Sequence, residues 1–334
     1  MTTPSKVETK TLILALHEAM NEELARDKRV FIVGEDVGRR GGVFRATTNL
    51  IDKYGAQRVV DSPLAELSIV AIGLGAAITD TLPICEIQFA DFIFPAFNQL
   101  LSEVARFYYR SNGQWHVPMV VRAPYGGGIG GGLYHSQSIE SFFAHIPGLK
   151  VVVPSTPEDA KGLLKAAVRD PNPVLYLEPK KGYRAIKGIV PEGDYITPIG
   201  PANISRTGSD LTVYAYGMMA HYARIAVERV AKQDGIDVEL IDIRTLAPLD
   251  KETLIQSFKK TGKALVVYED NKTMGFGAEI AAILAEEAFE YMDAPIMRLA
   301  APDVPSVPFS HPLQEAFMIN PDKIAAAIRE LEAY

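Results

Sequence analysis

The 334-residue chain carries 34 Lys and Arg against 41 Asp and Glu, a net charge of −7, with 48% hydrophobic and 22% charged side chains. Such a balance excludes extended disorder, leaves room for two cored domains, and argues against non-specific nucleic-acid binding, since no basic run offsets the mild acidity. Cys85, the single cysteine, lies in the apolar stretch LPICEIQF, which rules out a disulfide framework or a cysteine metal cluster within the chain and favours a reducing compartment.

The N-terminal MTTPSKVETKTLILALHEAM has no charged leader followed by a hydrophobic core and a small-residue cleavage site. No stretch approaches a charge-free membrane span, so a soluble cytoplasmic protein is predicted. From residue 8 to about 180, RVFIVGED, LPICEIQ, VPMVVRAP, KVVVPST and VLYLEP read as buried strands. Helical patterns lie between them: TKTLILALHEAMNEELARD, the segment around Glu66, FPAFNQLLSEVARFYYR, and PEDAKGLLKAAVRD with Pro157 in a first turn. This alternation predicts a mostly parallel sheet in a first α/β domain, residues 1–182. Residues 183–209, rich in Gly, Pro and isolated charges, read as a linker. A second alternation over 210–334 predicts another α/β domain: LTVYAYG, MAHYARIAVERVAKQ, VELIDIRTL, DKETLIQSFKKTG, KALVVYED, GAEIAAILAEEAFEYM and PIMRLAAPD.

Three features carry candidate chemistry. In DSPLAELSIVAIGLGAA, Ser62 is placed as N-cap and Pro63 as first helical residue, which sets Glu66 in the opening turn. The helix dipole there favours a negative charge by roughly 0.3–1 kcal/mol. The following LSIVAIGLGAA has no charge, which predicts a helix buried on several sides. An unpaired carboxylate in such a place is costly, and responds with a raised pKa or a proton-sharing partner. Residue types alone leave a dipole-complementing role and a catalytic role for Glu66 both open.

The run GGGIGGG, Gly126 to Gly132, follows the strand VPMVVRAP. Gly126, Gly128 and Gly131 satisfy a dinucleotide-type spacing, but LKVVVPS downstream lacks the ribose-binding acid, and no Lys-Ser or Lys-Thr completes a P-loop. The remaining reading is a loop that approaches a ligand with bare backbone and delivers Tyr134, His135, Ser136 and Gln137. His135 suits proton transfer near neutral pH, and a capping role fits it equally well. His17, His116, His145, His221 and His311 show no metal-ligand spacing. Finally, EIQFADFIFPAF places Gln88, Phe89, Phe92, Phe94 and Phe97 just past a strand's carboxyl end, where open parallel sheets bind ligands. Such rings are usually core, yet their density suits gripping a flat heterocycle.

Taken together and in order, GEDVGRRGGVF, DSPLAELSIVAIGLGAA, EIQFADFIFPAFNQL, YYRSNGQ, GGGLYHSQSIESFFAH, PSTPEDAKGLL, RDPNPVLYLEPK, IDIRTLAPLD and KTGKALVVYED resemble the beta subunit of the thiamine-diphosphate-dependent 2-oxo acid dehydrogenases. The resemblance runs through almost the whole chain and, in EIQFADFIFPAF and LYHSQS, favours the branched-chain subgroup over the pyruvate subgroup; a pyruvate or acetoin dehydrogenase beta subunit is the alternative. It implies a transketolase-like pyrimidine-binding domain and a C-terminal domain that serves dimerisation and docking of the acyltransferase.

The resemblance also implies roles. Glu66 meets N1′ of the aminopyrimidine and selects its imino tautomer, a charge-assisted hydrogen bond worth roughly 1.5–3 kcal/mol. Leu64, Gln88, Phe89 and Phe92 line the ring; Phe92 stands where a tyrosine is common in the family, so no hydroxyl is offered there. His135 stabilises charge at the reacting centre or hands a proton to the lipoyl sulfur. A potassium site is implied at the carbonyls of Val117, Met119, Val120, Ala167, Asp170 and Asn172.

No Gly-Asp-Gly occurs in the chain, although thiamine diphosphate needs magnesium and donors to offset its diphosphate charge. An alpha subunit is therefore expected to supply magnesium and half of the cofactor site in an α2β2 heterotetramer. A lipoyl-bearing dihydrolipoyl acyltransferase would be the further partner, with no nucleic acid and no membrane. Two other classes compete: a nucleotide-binding oxidoreductase, and a non-catalytic scaffold subunit. Transketolase-like and deoxyxylulose-phosphate-synthase-like enzymes normally carry both halves on one longer chain. The isolated chain should bind thiamine diphosphate and magnesium weakly by isothermal titration; tight binding without a partner would refute a divided site.

Overall fold

A computed structural model describes residues 8–334; residues 1–7, where the first predicted domain opens, lie outside the described residues. The chain divides into two compact units. One comprises the residues up to Tyr125 with Phe142–Ile199, the other Gly126–Ser141 with Gly200–Tyr334. Each is α/β, with a mostly parallel sheet flanked by helices, as the alternation of apolar runs predicts.

The first unit opens with β1 (Glu8–Thr11), α1 (Leu12–Arg26), β2 (Val30–Gly34), α2 (Leu50–Tyr54), β3 (Val59–Asp61), α3 (Glu66–Ala77) and β4 (Leu82–Glu86). It continues through α4 (Phe107–Arg110), β5 (Val120–Tyr125), α5 (Glu140–Ala144), β6 (Lys150–Val152), α6 (Pro157–Val168), β7 (Val174–Pro179), α7 (Gly182–Ala185) and β8 (Lys187–Val190), the unit boundary falling inside α5. Within this unit the strands run in the order β6-β7-β5-β4-β2-β3, all parallel. β5 and β7 are buried at every position, which is why they read as unbroken apolar runs. β1 and β8 form a separate antiparallel pair.

Helix starts follow local chemistry. At α6 the Thr156 hydroxyl accepts the Asp159 N–H at 3.1 Å and Pro157 fills the first position, as the sequence predicts. The expected start of α3 is corrected. Ser62 is not its N-cap: its N–H donates to the Gly34 carbonyl at 2.8 Å, continuing the β2–β3 ladder, and its hydroxyl donates to Pro63. The helix begins only at Glu66, with Ala65 before it and no side-chain cap.

The expected burial of α3 on several sides is corrected too. Ile69, Val70, Gly73, Leu74 and Ala77 form its covered face, whereas Leu67 is 43% and Ile72 52% exposed. An apolar helix made mainly of small residues here covers only one side within its own chain. The expected single helix FPAFNQLLSEVARFYYR is broken as well. It runs as a 3₁₀ turn at Phe94–Ala96, a π-helical stretch at Gln99–Val104 and the short α4, because Pro95 removes a donor near the start and the wider π turn shifts the register.

The second unit contains β9 (Asn203–Arg206), β10 (Leu211–Ala215), α8 (Gly217–Asp234), β11 (Val238–Asp242), β12 (Thr245–Ala247), α9 (Lys251–Thr261) and β13 (Ala264–Asn271). α10 (Gly277–Glu287), β14 (Met297–Ala301), α11 (His311–Phe317) and α12 (Pro321–Glu332) complete it. Its sheet has the order β14-β13-β10-β11-β9, parallel except for the β9 edge. Asp250 caps α9 and Asn320 caps α12, each accepting the N–H three residues on. No helix among the described residues is long and apolar enough to cross a membrane.

α3 is seated on β4 through one glycine. A Cβ at Gly73 would lie 2.3 Å from Cys85 Sγ and 2.9 Å from Met119 Cε. Burial pushes the Cys85 thiol up to about 12, so it acts as a small apolar filler. Gly73→Ala should lower the thermal midpoint, overpacking costing about 1–3 kcal/mol, and a second change, Cys85→Ala, should restore most of the loss. Differential scanning calorimetry of the three variants checks both.

Candidate active site

Three neighbouring parallel strands share a buried charge trio near their carboxyl ends. Glu86 at the end of β4 stands in register with Arg122 of β5. The guanidinium binds Glu178 of β7 bidentately, Nε to Oε1 at 2.7 Å and Nη2 to Oε2 at 3.0 Å, and gives Nη1 to Glu86 Oε2 at 2.6 Å. Tyr183 donates its hydroxyl to Glu178. Burial opposes the charge on Arg122, but Glu178 and Glu86 outweigh it and hold the guanidinium above its ordinary range. One cation serves two carboxylates, and burial pushes Glu86 up despite Arg122.

Beyond these strand ends stand the residues expected to hold a ring. Gln88, Phe89 and Phe92 are each half-buried. The Phe89 ring meets Phe92 edge-on at 5.6 Å and Phe44 at 5.3 Å, and Phe44 in turn meets Tyr183 at 5.1 Å. Lys180 Nζ lies 5.3 Å from the Phe89 ring centre and 3.8 Å from Asp91. The Gln88 amide donates to the Glu35 carbonyl at 3.5 Å, which joins the ends of β4 and β2.

Glu66, the first residue of α3, is half-buried and acts electrostatically on Glu35. Burial first, then the charges of Asp36 and Glu66, raise the Glu35 pKa. Leu64, two residues before Glu66, is 73% exposed. Glu35 was missed in the sequence; the signal lay in GED, two acids directly after an apolar strand, the position where parallel sheets present ligand-binding groups. Arg122 was missed too, being one cation inside an otherwise apolar run.

His135 lies in the other unit, on the loop between Gly126 and Ser141, just after a 3₁₀ turn at Gly132–Tyr134, and is half-buried. Gly126, Gly128, Gly130 and Gly132 all have positive φ, which accounts for the glycine density. The segments carrying the six carbonyls of the potassium set are joined where the Val174 N–H donates to the Met119 carbonyl at 3.0 Å. The Met119 N–H bonds the Val117 carbonyl, the Asp170 N–H the Ala167 carbonyl, and the Asn172 N–H the Asp170 carboxylate. Val120 opens β5, and Lys150 pairs with the same Asp170 carboxylate.

Comparison with known proteins defines the class. The transketolase pyrimidine-binding domain matches residues 8–185 and the transketolase C-terminal domain residues 200–324. A solved chain described as a split-gene transketolase, an inactive beta4 tetramer, shares the fold, with a TM-score of 0.78 at 22% identity, covering 97% of this chain and 98% of that one. The 2-oxoisovalerate dehydrogenase subunit beta of Bacillus subtilis (strain 168) is 55% identical over 96% of this chain and 98% of its own length. The pyruvate dehydrogenase E1 component subunit beta of Acholeplasma laidlawii is 47% identical over 96% and 97%. The chain belongs to the family of beta subunits of the thiamine-diphosphate-dependent 2-oxo acid dehydrogenases.

The trio makes a direct test of what supports the strand ends. Arg122→Met should cost about 3–5 kcal/mol in urea unfolding, because it strands two buried carboxylates. Glu86, already raised by burial, would lose the cation that lowers it, so the deficit should shrink as pH falls and grow as pH rises through its folded value.

Proposed function

We propose that this chain is the beta subunit of the decarboxylating first component of a 2-oxo acid dehydrogenase complex, working on a branched-chain 2-oxo acid and passing the acyl group to a lipoyl domain. The observation that carries the reading is that the Gln88 amide ties the segment of the half-buried Phe89 and Phe92 rings to Glu35, whose carboxyl feels the charge of Glu66. A flat nitrogen heterocycle that takes or shares a proton fits both halves of that surface. Identity of 55% to a 2-oxoisovalerate dehydrogenase subunit against 47% to a pyruvate dehydrogenase subunit supports the branched-chain substrate over pyruvate.

The chemistry supplied by bound thiamine diphosphate is decarboxylation, its thiazolium serving as electron sink. This chain's residues orient the ring and manage its protons. Glu66 would face N1′ of the ring and exchange a proton there at a carboxyl oxygen, with the Glu35 carboxyl in its electrostatic reach. Phe89 and Phe92 exclude water from the ring faces, and Gln88, tied to Glu35, keeps the floor in place. Leu64 covers an edge. His135 moves a proton at an imidazole nitrogen during acyl transfer to the lipoyl sulfur.

With no Gly-Asp-Gly in the sequence, magnesium and the diphosphate fall to an alpha subunit, giving an α2β2 assembly, and the lipoyl-bearing acyltransferase is the further partner. A potassium ion on the carbonyls of Val117, Met119, Val120, Ala167, Asp170 and Asn172 belongs to the same reading; Lys150 already neutralises the Asp170 carboxylate, leaving backbone oxygens as ligands. The lone buried thiol suits a cytoplasm. The two predicted domains, residues 1–182 and 210–334 with 183–209 between them, would bind the pyrimidine and serve dimerisation and docking.

Glu66→Gln in the reconstituted complex should lower decarboxylation of 3-methyl-2-oxobutanoate by about 10²–10⁴-fold. Thermal stability should stay near wild type. Unchanged turnover would favour a scaffold subunit.

A further inference from the structure

The glycine loop is tied at both ends to two consecutive acids of the second unit. The Gly126 N–H donates to the Gln137 carbonyl at 2.9 Å and closes the loop's neck. One residue on, the Gly127 N–H donates to Glu269 Oε1 at 2.5 Å. At the other end the Ser141 hydroxyl donates to Asp270 Oδ2 at 2.5 Å. Glu269 and Asp270 lie side by side near the end of β13.

We propose that Glu269 and Asp270 are positioning residues that clamp the two ends of the glycine loop and so set where His135 stands. The proposal deepens the proton-transfer role given to His135 above and rests on that reading. The ties leave little slack. His135 is two residues from the neck at Gln137, and a Cβ at Gly131 would lie 2.7 Å from both His135 Cβ and its carbonyl oxygen. At Gly126 a Cβ would lie 2.9 Å from Glu269 Oε1, at Gly127 3.0 Å from Met318 Sδ, and at Gly132 2.8 Å from Phe309. A displacement of the neck therefore passes directly to the histidine.

A third acid belongs to the clamp. Glu140, fully buried beside Ser141, accepts the Tyr216 hydroxyl at 2.9 Å. Burial first, then Asp270 and Glu269, raise its pKa well above the carboxylate range, and Asp270 is raised by its own burial. Glu269 and Asp270 are the two acids that accept hydrogen bonds from the loop's ends.

The test uses the assembled α2β2 complex with Glu269→Ala, Glu269→Gln, Ser141→Ala and His135→Ala. Hydrogen exchange of the peptides spanning 126–141 reads the loop, and lipoyl acylation is timed apart from decarboxylation measured with an artificial electron acceptor. Glu269→Ala should speed loop exchange and slow acylation by about tenfold or more, with the 2-oxo acid KM little changed. Glu269→Gln keeps an acceptor oxygen for Gly127 and should restore both. Ser141→Ala, which cuts the other tie from the loop side, should also speed exchange and serves should Glu269→Ala not fold. The double variant Glu269→Ala with His135→Ala should be no slower than His135→Ala alone. Unchanged loop exchange, or losses that multiply in the double variant, would overturn the clamp. Full activity of His135→Ala would instead sink the catalytic reading of that histidine, which the exchange measurement does not depend on.

Discussion

A single guanidinium ties three parallel strands in one alignment. Because Arg122 bonds Glu86 and Glu178 together, β4, β5 and β7 cannot slide against one another without stranding a buried charge. The residues that leave the sheet next are thereby set: Gln88 and Phe89 two and three positions after Glu86, and Lys180 two after Glu178 with its ammonium over the Phe89 ring. One cation for two acids is a costly way to build a core. Its return is register, and the surface carrying Gln88, Phe89 and Lys180, proposed to hold a ring, is assembled from that register.

The same strand ends explain why an acid sits at the mouth of an apolar helix. Glu66 does not gain a capping partner at its own helix start, where Ala65 offers no side chain. Its neighbour is another acid, Glu35, whose raised pKa records the crowding. Two carboxyls so placed prefer a proton donor or a basic nitrogen between or beside them, and a protein that kept them only for fold would more cheaply replace one with an amide. Family membership and the charge environment of Glu35 are both compatible with the proton-managing role proposed for Glu66.

How far the sequence could be read follows from which forces are local. Strands buried on both faces announce themselves as apolar runs, and Thr156 with Pro157 marks a helix start within four residues, so the alternating α/β pattern was legible. Glu66 and the Phe89–Phe92 pair were legible as candidates because their placement after strand ends is a matter of chain order. What was hidden depended on partners distant in sequence. Arg122 reads as a lone cation in a strand until Glu86 and Glu178 arrive 36 and 56 residues away. Ser62 reads as a cap until the β2–β3 ladder claims its N–H. The exposed side of α3 was unreadable for the converse reason, since uncharged composition says what a helix can bury but not how much of it its own chain covers.

The glycine run makes the sharpest case. A stretch with six glycines in seven positions is naturally taken for a flexible loop. In the folded chain four of those glycines are required by positive φ, and others by atoms that leave no space for a Cβ: Met318 at Gly127, His135 itself at Gly131. Glycine here permits close approach, and close approach brings backbone N–H groups onto a carboxylate. The hydrogen bonds from Gly127 to Glu269 and from Ser141 to Asp270 thus go with close packing at the loop's base, so glycine density here is compatible with a held loop as well as a loose one. If His135 serves a substrate arriving from outside, as proposed, a fixed station would lower the ordering cost of each encounter.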